Sequence, residues 1–243
     1  SVVLGDESLE DVLAYLSDIG VDAVELGCGG FPGADHLDRE ASLDSEDRQA
    51  ELLDLVAAHD LRISALSTHN NPLHPDDDRR ERADTELREA IRLASQLGID
   101  NVNAFSGLPA GSPSDTTPNW ITAPWPTEHA EALEYQWEVA ESYWRDLAAH
   151  AMEHEVNVCI EMHPNMLVYE PTGLLRLREA TNEYVGANFD PSHLYWQGID
   201  VTEAIRFLGD HDAIHHVHAK DTALYEANAR VKGYLDTSPY TDE

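Results

Sequence analysis

Three short apolar runs in this sequence each end in residues that bind hard or borderline metal ions. They are Val158-Cys159-Ile160-Glu161-Met162-His163-Pro164, Ala187-Asn188-Phe189-Asp190-Pro191-Ser192-His193 and Ile214-His215-His216-Val217-His218-Ala219-Lys220-Asp221. Side chains alternate between the two faces of a strand, so Cys159, Glu161 and His163 fall on one side and Val158, Ile160 and Met162 on the other. The same count groups Asn188 with Asp190, and His216 with His218 and Lys220. Two carboxylates and an imidazole at the ends of successive strands can hold one divalent cation. Each residue also has an ordinary reading. Glu161 can be a solvated carboxylate at a strand end, Asp190 the turn residue of an Asp-Pro pair, and His216 and His218 compete for one face. His215 points to the opposite face, as a packing residue.

Such a site requires several strands to end side by side, and the rest of the chain supplies them. At 243 residues and 42% hydrophobic, the sequence has material for one domain, 1–243, with a substantial core. Ser8 is expected to cap a first helix with a stripe of Leu9, Val12, Leu13 and Leu16, ended by Gly20. A strand follows over Val21–Gly27. Ser45 caps a second helix carrying Leu52, Leu53, Leu55 and Val56, and the next strand runs from Leu61 to Thr68. A helix ending near Leu97-Gly98 precedes a strand over Asn101–Phe105. Residues 106–127 interrupt the rhythm with Pro, Ser and Gly. A loop this long inside a domain is functional or loose, and Trp120 and Trp125 favour a lid that packs down. A long helix over about 128–153 leads to the strand ending at Glu161. Helices from about Thr172 and near Val201–Leu208 alternate with the strands ending at Asp190 and Lys220.

Six strands alternating with helices give parallel crossovers. A doubly wound open sheet would also fit, but no strand is followed by a glycine-rich phosphate loop. Polar candidates stand instead at the C-terminal end of nearly every strand, where a (β/α)8 TIM barrel builds its site. Val2-Val3-Leu4 is too short for a strand and 222–243 reads as a polar tail. The expected fold is therefore an α/β (β/α)8 TIM barrel that is incomplete, its first and last strands missing.

Charge narrows the function classes. The 47 acidic residues against 15 basic ones give a net charge of −32, and only Lys220 and Lys232 are lysines. Nucleic acid is excluded as a partner because its phosphates demand clustered Lys and Arg. An acidic, lysine-poor chain that keeps regular apolar periodicity has the composition of a halophile's protein, and runs such as Asp76-Asp77-Asp78 read as solvated faces. Two cysteines, Cys28 and Cys159, build no disulfide framework. With no membrane-length apolar run and no signal peptide, the expectation is a cytoplasmic protein without a membrane partner. A homo-oligomer remains open.

The three strand-end motifs, with weaker support from Val24-Glu25-Leu26 and Ser67-Thr68-His69, resemble those of the xylose isomerase-like TIM-barrel superfamily of sugar isomerases and epimerases. The resemblance covers almost the whole chain. It implies that Glu161, Asp190 and His218 are metal ligands, that His193 binds substrate, and that Glu161 also acts as a base. The implied cofactor is one divalent ion, Mn²⁺, Mg²⁺ or Co²⁺, with Zn²⁺ also compatible. The implied reaction is isomerisation or epimerisation of a small sugar or polyol, phosphorylated or not, through a metal-stabilised enediolate. An inosose-type dehydratase and a non-catalytic sugar-binding barrel are the alternatives; a nuclease of the endonuclease IV type is disfavoured by the charge. The family's fourth ligand, a glutamate on the last strand, has no counterpart in this sequence, so one of the usual pair of bases is expected to be absent. His218, next to Ala-Lys-Asp, is preferred over His216, which is placed deeper as support. Lys220 is expected to stabilise oxyanion charge. Glu25, His69, Asn103 and His163 are expected to line the pocket.

Overall fold

The computed structural model of the chain describes residues 2–123 and 125–235. Six strands, β1 Ala23–Gly27, β2 Arg62–Ser67, β3 Asn101–Phe105, β4 Asn157–Glu161, β5 Val185–Phe189 and β6 Ile214–Val217, form one parallel sheet in sequence order. The helices are α1 Leu9–Asp18, α2 Arg39–Leu43, α3 Glu46–Ala58, α4 Asp77–Leu97, α5 Thr127–Glu153, α6 Pro171–Ala180, α7 Ser192–Tyr195, α8 Val201–Gly209 and α9 Glu226–Lys232. The sheet is curled. Asn103 on β3 touches both Glu25 on β1 and His216 on β6, and His218, just past β6, reaches Glu25 at 2.8 Å. The two edge strands thus face each other across an interior, as in an incomplete (β/α)8 barrel.

The helices start where short polar side chains can satisfy their free N–H groups. Ser8 accepts from the Asp11 N–H and Ser45 from the Arg48 N–H, both as expected. Asp38, Asp76, Glu170 and Asp200 cap α2, α4, α6 and α8 in the same way. Gly98, in the left-handed region at φ +68°, ends α4. In α1, Val12 and Leu13 are buried with Leu9 and Leu16 packed alongside. In α3, Leu52 and Val56 are buried and Leu55 packs against the core, whereas Leu53 is exposed, so that stripe is narrower than the periodicity predicts.

The core lies between the sheet's outer face and the helices. Leu26, Leu66, Val102, Val158, Ile160 and Met162 meet Leu13, Leu87, Ile91, Trp144, Leu147 and Leu174 there. The inner face carries Asn103, Cys159, Glu161, Asn188 and Asp190, all buried. Lateral register places Phe105 beside Glu161, Glu161 beside Asn188, and Asn188 beside His216. The register steps over His215 between Ala187 and Asn188. Such a bulge re-aims side chains: it turns His215 out to the Glu183 carbonyl at 3.0 Å and keeps His216 in line with Asn188. Gly186 makes room for that ring, since a Cβ there would meet His215 at 2.2 Å.

Several boundaries differ from the sequence reading. β1 and β2 are shorter at their ends, α2 is an additional short helix, and Val2–Leu4 forms a 3-10 turn. Part of the expected tail coils into α9, none of whose residues is buried, while 236–243 lie outside the described residues. The 106–126 connection is held to α5 by the Trp144 indole, which donates to the Ser106 carbonyl at 2.9 Å, and by Gln136, which donates to the Pro109 and Asn119 carbonyls. Trp120 packs edge-on against Tyr169. Trp125 is 81% exposed and none of the segment's described residues lines the site cavity, so the lid expectation holds for the packing of Trp120 alone. A fixed polypeptide strap with bonded carbonyls needs no second tryptophan to stay down.

Candidate metal centre

Glu161 ends β4 on the inner face and is the hub of the site. Its Oε2 accepts from His69 Nε2 at 2.8 Å and from His218 Nδ1 at 3.1 Å, with Asn188 Nδ2 at 3.4 Å. Its Oε1 accepts from His193 Nε2 at 3.0 Å and has the Lys220 ammonium 4.0 Å away. Burial alone would make this carboxyl easier to protonate. The hydrogen bonds from His193, His218 and His69 outweigh that and hold it far below the usual carboxylate range. It is an ionised carboxylate.

Asp190 follows β5 and serves two purposes with its two oxygens. Oδ1 accepts from the Ser192 backbone N–H at 2.9 Å and the Ser192 hydroxyl at 2.6 Å, which is the turn role expected of an Asp-Pro pair. Oδ2 is buried without a hydrogen bond of proper geometry; Lys220 Nζ lies 2.6 Å from it and His193 Nε2 3.5 Å. Lys220, half exposed, sets its ammonium beside both carboxylates.

His218 bridges two carboxylates. Nδ1 faces Glu161 and Nε2 donates to Glu25 Oε2 at 2.8 Å. Burial would depress its pKa, but the bonds to Glu161 and Glu25 raise it to about 10. His216 sits one layer below against Asn103 and Asn188, both at 3.2 Å, and burial lowers its pKa. The Glu25 carboxyl is lowered despite its burial, chiefly by its bond to His218.

A cavity of about 200 Å³ opens onto these groups, lined by Glu25, His69, Glu161, His163, His218 and Lys220 and walled by Phe31, Pro32 and Phe105. Phe105 wedges between the rings of His69 and His163, at 4.6 and 4.7 Å between centroids. His163 meets His193 edge-on, with ring centroids 4.2 Å apart, and bonds the Pro164 carbonyl through Nδ1. His69 is set by its own backbone: its carbonyl accepts from Phe31 N–H, and Gly30, at φ +65°, passes so close that a Cβ would lie 2.5 Å from that oxygen.

The structure therefore brings together Glu161, Asp190, His218, His193, Lys220, His69, His163 and Glu25, with Asn103 one layer below. It adds Asn188, Phe31 and Pro32, which the sequence reading did not nominate for the site. Asn188 was visible in the strand alternation, one step before Asp190. Phe31 and Pro32 gave no signal, because only the folded β1 loop brings them over the cavity.

These residues fit a divalent cation. One donor atom each from Glu161, Asp190 and His218 lie within 4.8 Å of one another, and Asp190 Oδ2 is a buried acceptor with no hydrogen bond. Glu161 and Asp190 share the Lys220 ammonium, and His218 bridges Glu161 to Glu25. Carboxylate oxygen with imidazole nitrogen is the donor chemistry of borderline divalent metals.

The sequence pattern of the xylose isomerase-like TIM barrel matches residues 13–235. Bacillus subtilis (strain 168) protein YfiH is 39% identical over 243 residues, spanning 98% of this chain and 77% of that one. Among solved structures, the probable 3-DHS dehydratase AsbF of Bacillus anthracis superposes with a TM-score of 0.69 at 16% identity, over 99% of this chain and 79% of that one. The IOLI protein with a bound zinc atom gives 0.66 at 17%, over 97% and 74%. D-psicose 3-epimerase of Clostridium cellulolyticum H10 gives 0.62 at 14%, over 87% and 67%. At these identities the structures speak for the fold. The chain belongs to the xylose isomerase-like TIM-barrel family. Among the described residues, no helix is long and apolar enough to cross a membrane.

Proposed function

We propose that this xylose isomerase-like barrel is a divalent-metal-dependent isomerase or epimerase of a small sugar or polyol. The observation that carries the reading is the convergence of Glu161, Asp190 and His218 at the C-terminal ends of β4, β5 and β6, beside a cavity. These three would hold the ion, which when bound supplies Lewis-acid polarisation of a substrate carbonyl; Mn²⁺, Mg²⁺ and Co²⁺ suit the donor set, and the zinc of the IOLI protein keeps Zn²⁺ among the candidates.

The chain's own residues would do the rest. The two oxygens of Glu161 face different neighbours, Oε2 towards His218 and His69 and Oε1 towards His193 and Lys220. While all these donors are in place the carboxylate is a poor base. It becomes one when His193 gives up Oε1 for a substrate hydroxyl, and it then takes the proton from the carbon next to the carbonyl. Lys220 stabilises the negative charge that develops on oxygen as that proton leaves. A cavity of about 200 Å³ is below the roughly 300–1,000 Å³ of drug-sized ligand sites and favours a single small sugar.

The test is to incubate the metal-loaded protein with small ketoses in D₂O and follow their C–H signals by NMR. Metal-dependent deuterium uptake next to the carbonyl, with formation of an isomer or epimer, is expected. Uptake with loss of water would instead assign the dehydratase reaction. Sugar binding without uptake would leave a non-catalytic barrel.

A further inference from the structure

We infer that Glu25 is a positioning residue that fixes the tautomer and ring orientation of His218, so that Nδ1 is the nitrogen turned to the metal. The inference rests on the metal-centre reading above. Glu25 and His218 are far apart in sequence, on the two edges of the curled sheet, yet Nε2 of the ring lies 2.8 Å from Glu25 Oε2. A carboxylate accepts only, so the proton of this bond sits on Nε2. In a neutral ring that leaves the lone pair on Nδ1, the atom 3.1 Å from Glu161 Oε2. A carboxylate behind a metal-binding imidazole holds its ring and raises its basicity.

Glu25 is itself held. Asn103 Nδ2 donates to the same Oε2 at 2.8 Å, and the β1–β2 register steps over Ser64 between Val24 and Glu25, a bulge at the position where Glu25 turns inward. A second arrangement competes: Glu25, His216 and His218 also bring donor atoms within 4.8 Å of one another and could hold an ion of their own. That ion would need the Nε2 lone pair, which the Glu25 bond occupies with a proton.

The test is titration of chelator-stripped protein with Co²⁺, read by its visible absorption, for wild type, Glu25→Gln and Glu25→Ala. It is paired with the ring ¹⁵N and N–H signals of His218 in the Zn²⁺-loaded forms, assigned by their loss in His218→Gln. We expect one ion per chain throughout, affinity reduced about 10–100-fold in Glu25→Ala and less in Glu25→Gln. The hydrogen-bonded Nε2–H signal should be present in wild type and lost in Glu25→Ala. If Glu25→Ala does not fold, Asn103→Ala, which removes the Asn103 hydrogen bond to Glu25, should weaken binding in the same direction. Unchanged affinity and an unchanged His218 signal in the Glu25 variants would overturn the inference while leaving the metal centre standing. A stoichiometry falling from two to one would overturn it in favour of a second ion site. A wild-type protein that takes up no Co²⁺ would overturn the metal-centre reading itself.

Discussion

The acids inside the sheet and the acids outside it live under opposite rules. Glu161 and Asp190 are withdrawn from water, and imidazoles, an ammonium and a hydroxyl crowd around them. The outer acids are mostly solvated. A few cap helices, such as Asp76, and a few pair with arginine, such as Asp84 with Arg88 at 2.9 Å, but the chain carries 47 acids for 15 bases. A buried carboxylate must be compensated because desolvation is costly. A surface carboxylate is compensated by water and salt. The difference teaches that residue type alone says little here: the same Asp or Glu is a buried, hydrogen-bonded carboxylate inside the curled sheet and a solvated charge on the helices and loops around it.

The change that breaks this contrast most is on the inside. Glu161→Gln keeps the shape but removes the proposed base, and we expect C–H exchange to fall by at least the roughly 10²–10⁴-fold that a positioned base contributes; near-wild-type exchange by NMR would take Glu161 out of the proposed mechanism. Next in size is Asp190→Asn, which should weaken metal binding by more than the roughly 10–100-fold of an outer-shell change, measured by the same Co²⁺ titration. An outer pair such as Asp84 and Arg88 should leave that affinity unchanged when Asp84 is made Asn.

Protons sharpen the contrast further. Metal-free His218 carries a proton on Nδ1 in the place the ion would take, with a pKa raised to about 10. Metal binding near pH 8 should therefore release one proton, with release fading as pH rises through 10. Calorimetry in buffers of different ionisation enthalpy measures it, and no release at pH 8 would contradict the placement. The same shift fixes a sign for stability. A raised folded-state pKa gives His218 a contribution that is complete below its ordinary value of 6.5 and lost as pH rises through about 10. Glu161, held below 4.5, contributes above that value and loses its contribution as acid protonates it. Denaturant midpoints of the metal-free protein should thus be higher between about pH 4.5 and 6.5 than at pH 10, and the alkaline loss should shrink in His218→Gln. The smallest expected effect belongs to the outside: with a net charge of −32, thermal midpoints should rise from dilute buffer to molar salt, and equal midpoints would remove the self-repulsion argument.

Much of this was legible in the chain because the strands are short and alternate strictly where it matters. The inner positions of β4 and β5 followed from counting by two, and the caps at Ser8 and Ser45 followed from residue type. What escaped depends on three-dimensional detail. The bulge at His215 adds a residue to β6, so the row Glu161, Asn188 and His216 emerges only from register, and with it the part played by Asn188. Phe31 and Pro32 reach the cavity through a glycine-rich loop whose path is set by contacts with His69. Trp125 shows that an aromatic residue in a proline-rich loop is no guarantee of burial.

The central claim is that Glu161, Asp190 and His218 act as one ligand set. It is tested most directly by counting divalent ions bound per chain, by elemental analysis after equilibrium dialysis of the chelator-stripped protein against micromolar Mn²⁺ or Co²⁺. The account predicts one ion in the wild type and a large loss in each of Glu161→Gln, Asp190→Asn and His218→Gln. A folded wild type that retains no ion, or three variants that retain it as well as the wild type, would contradict it.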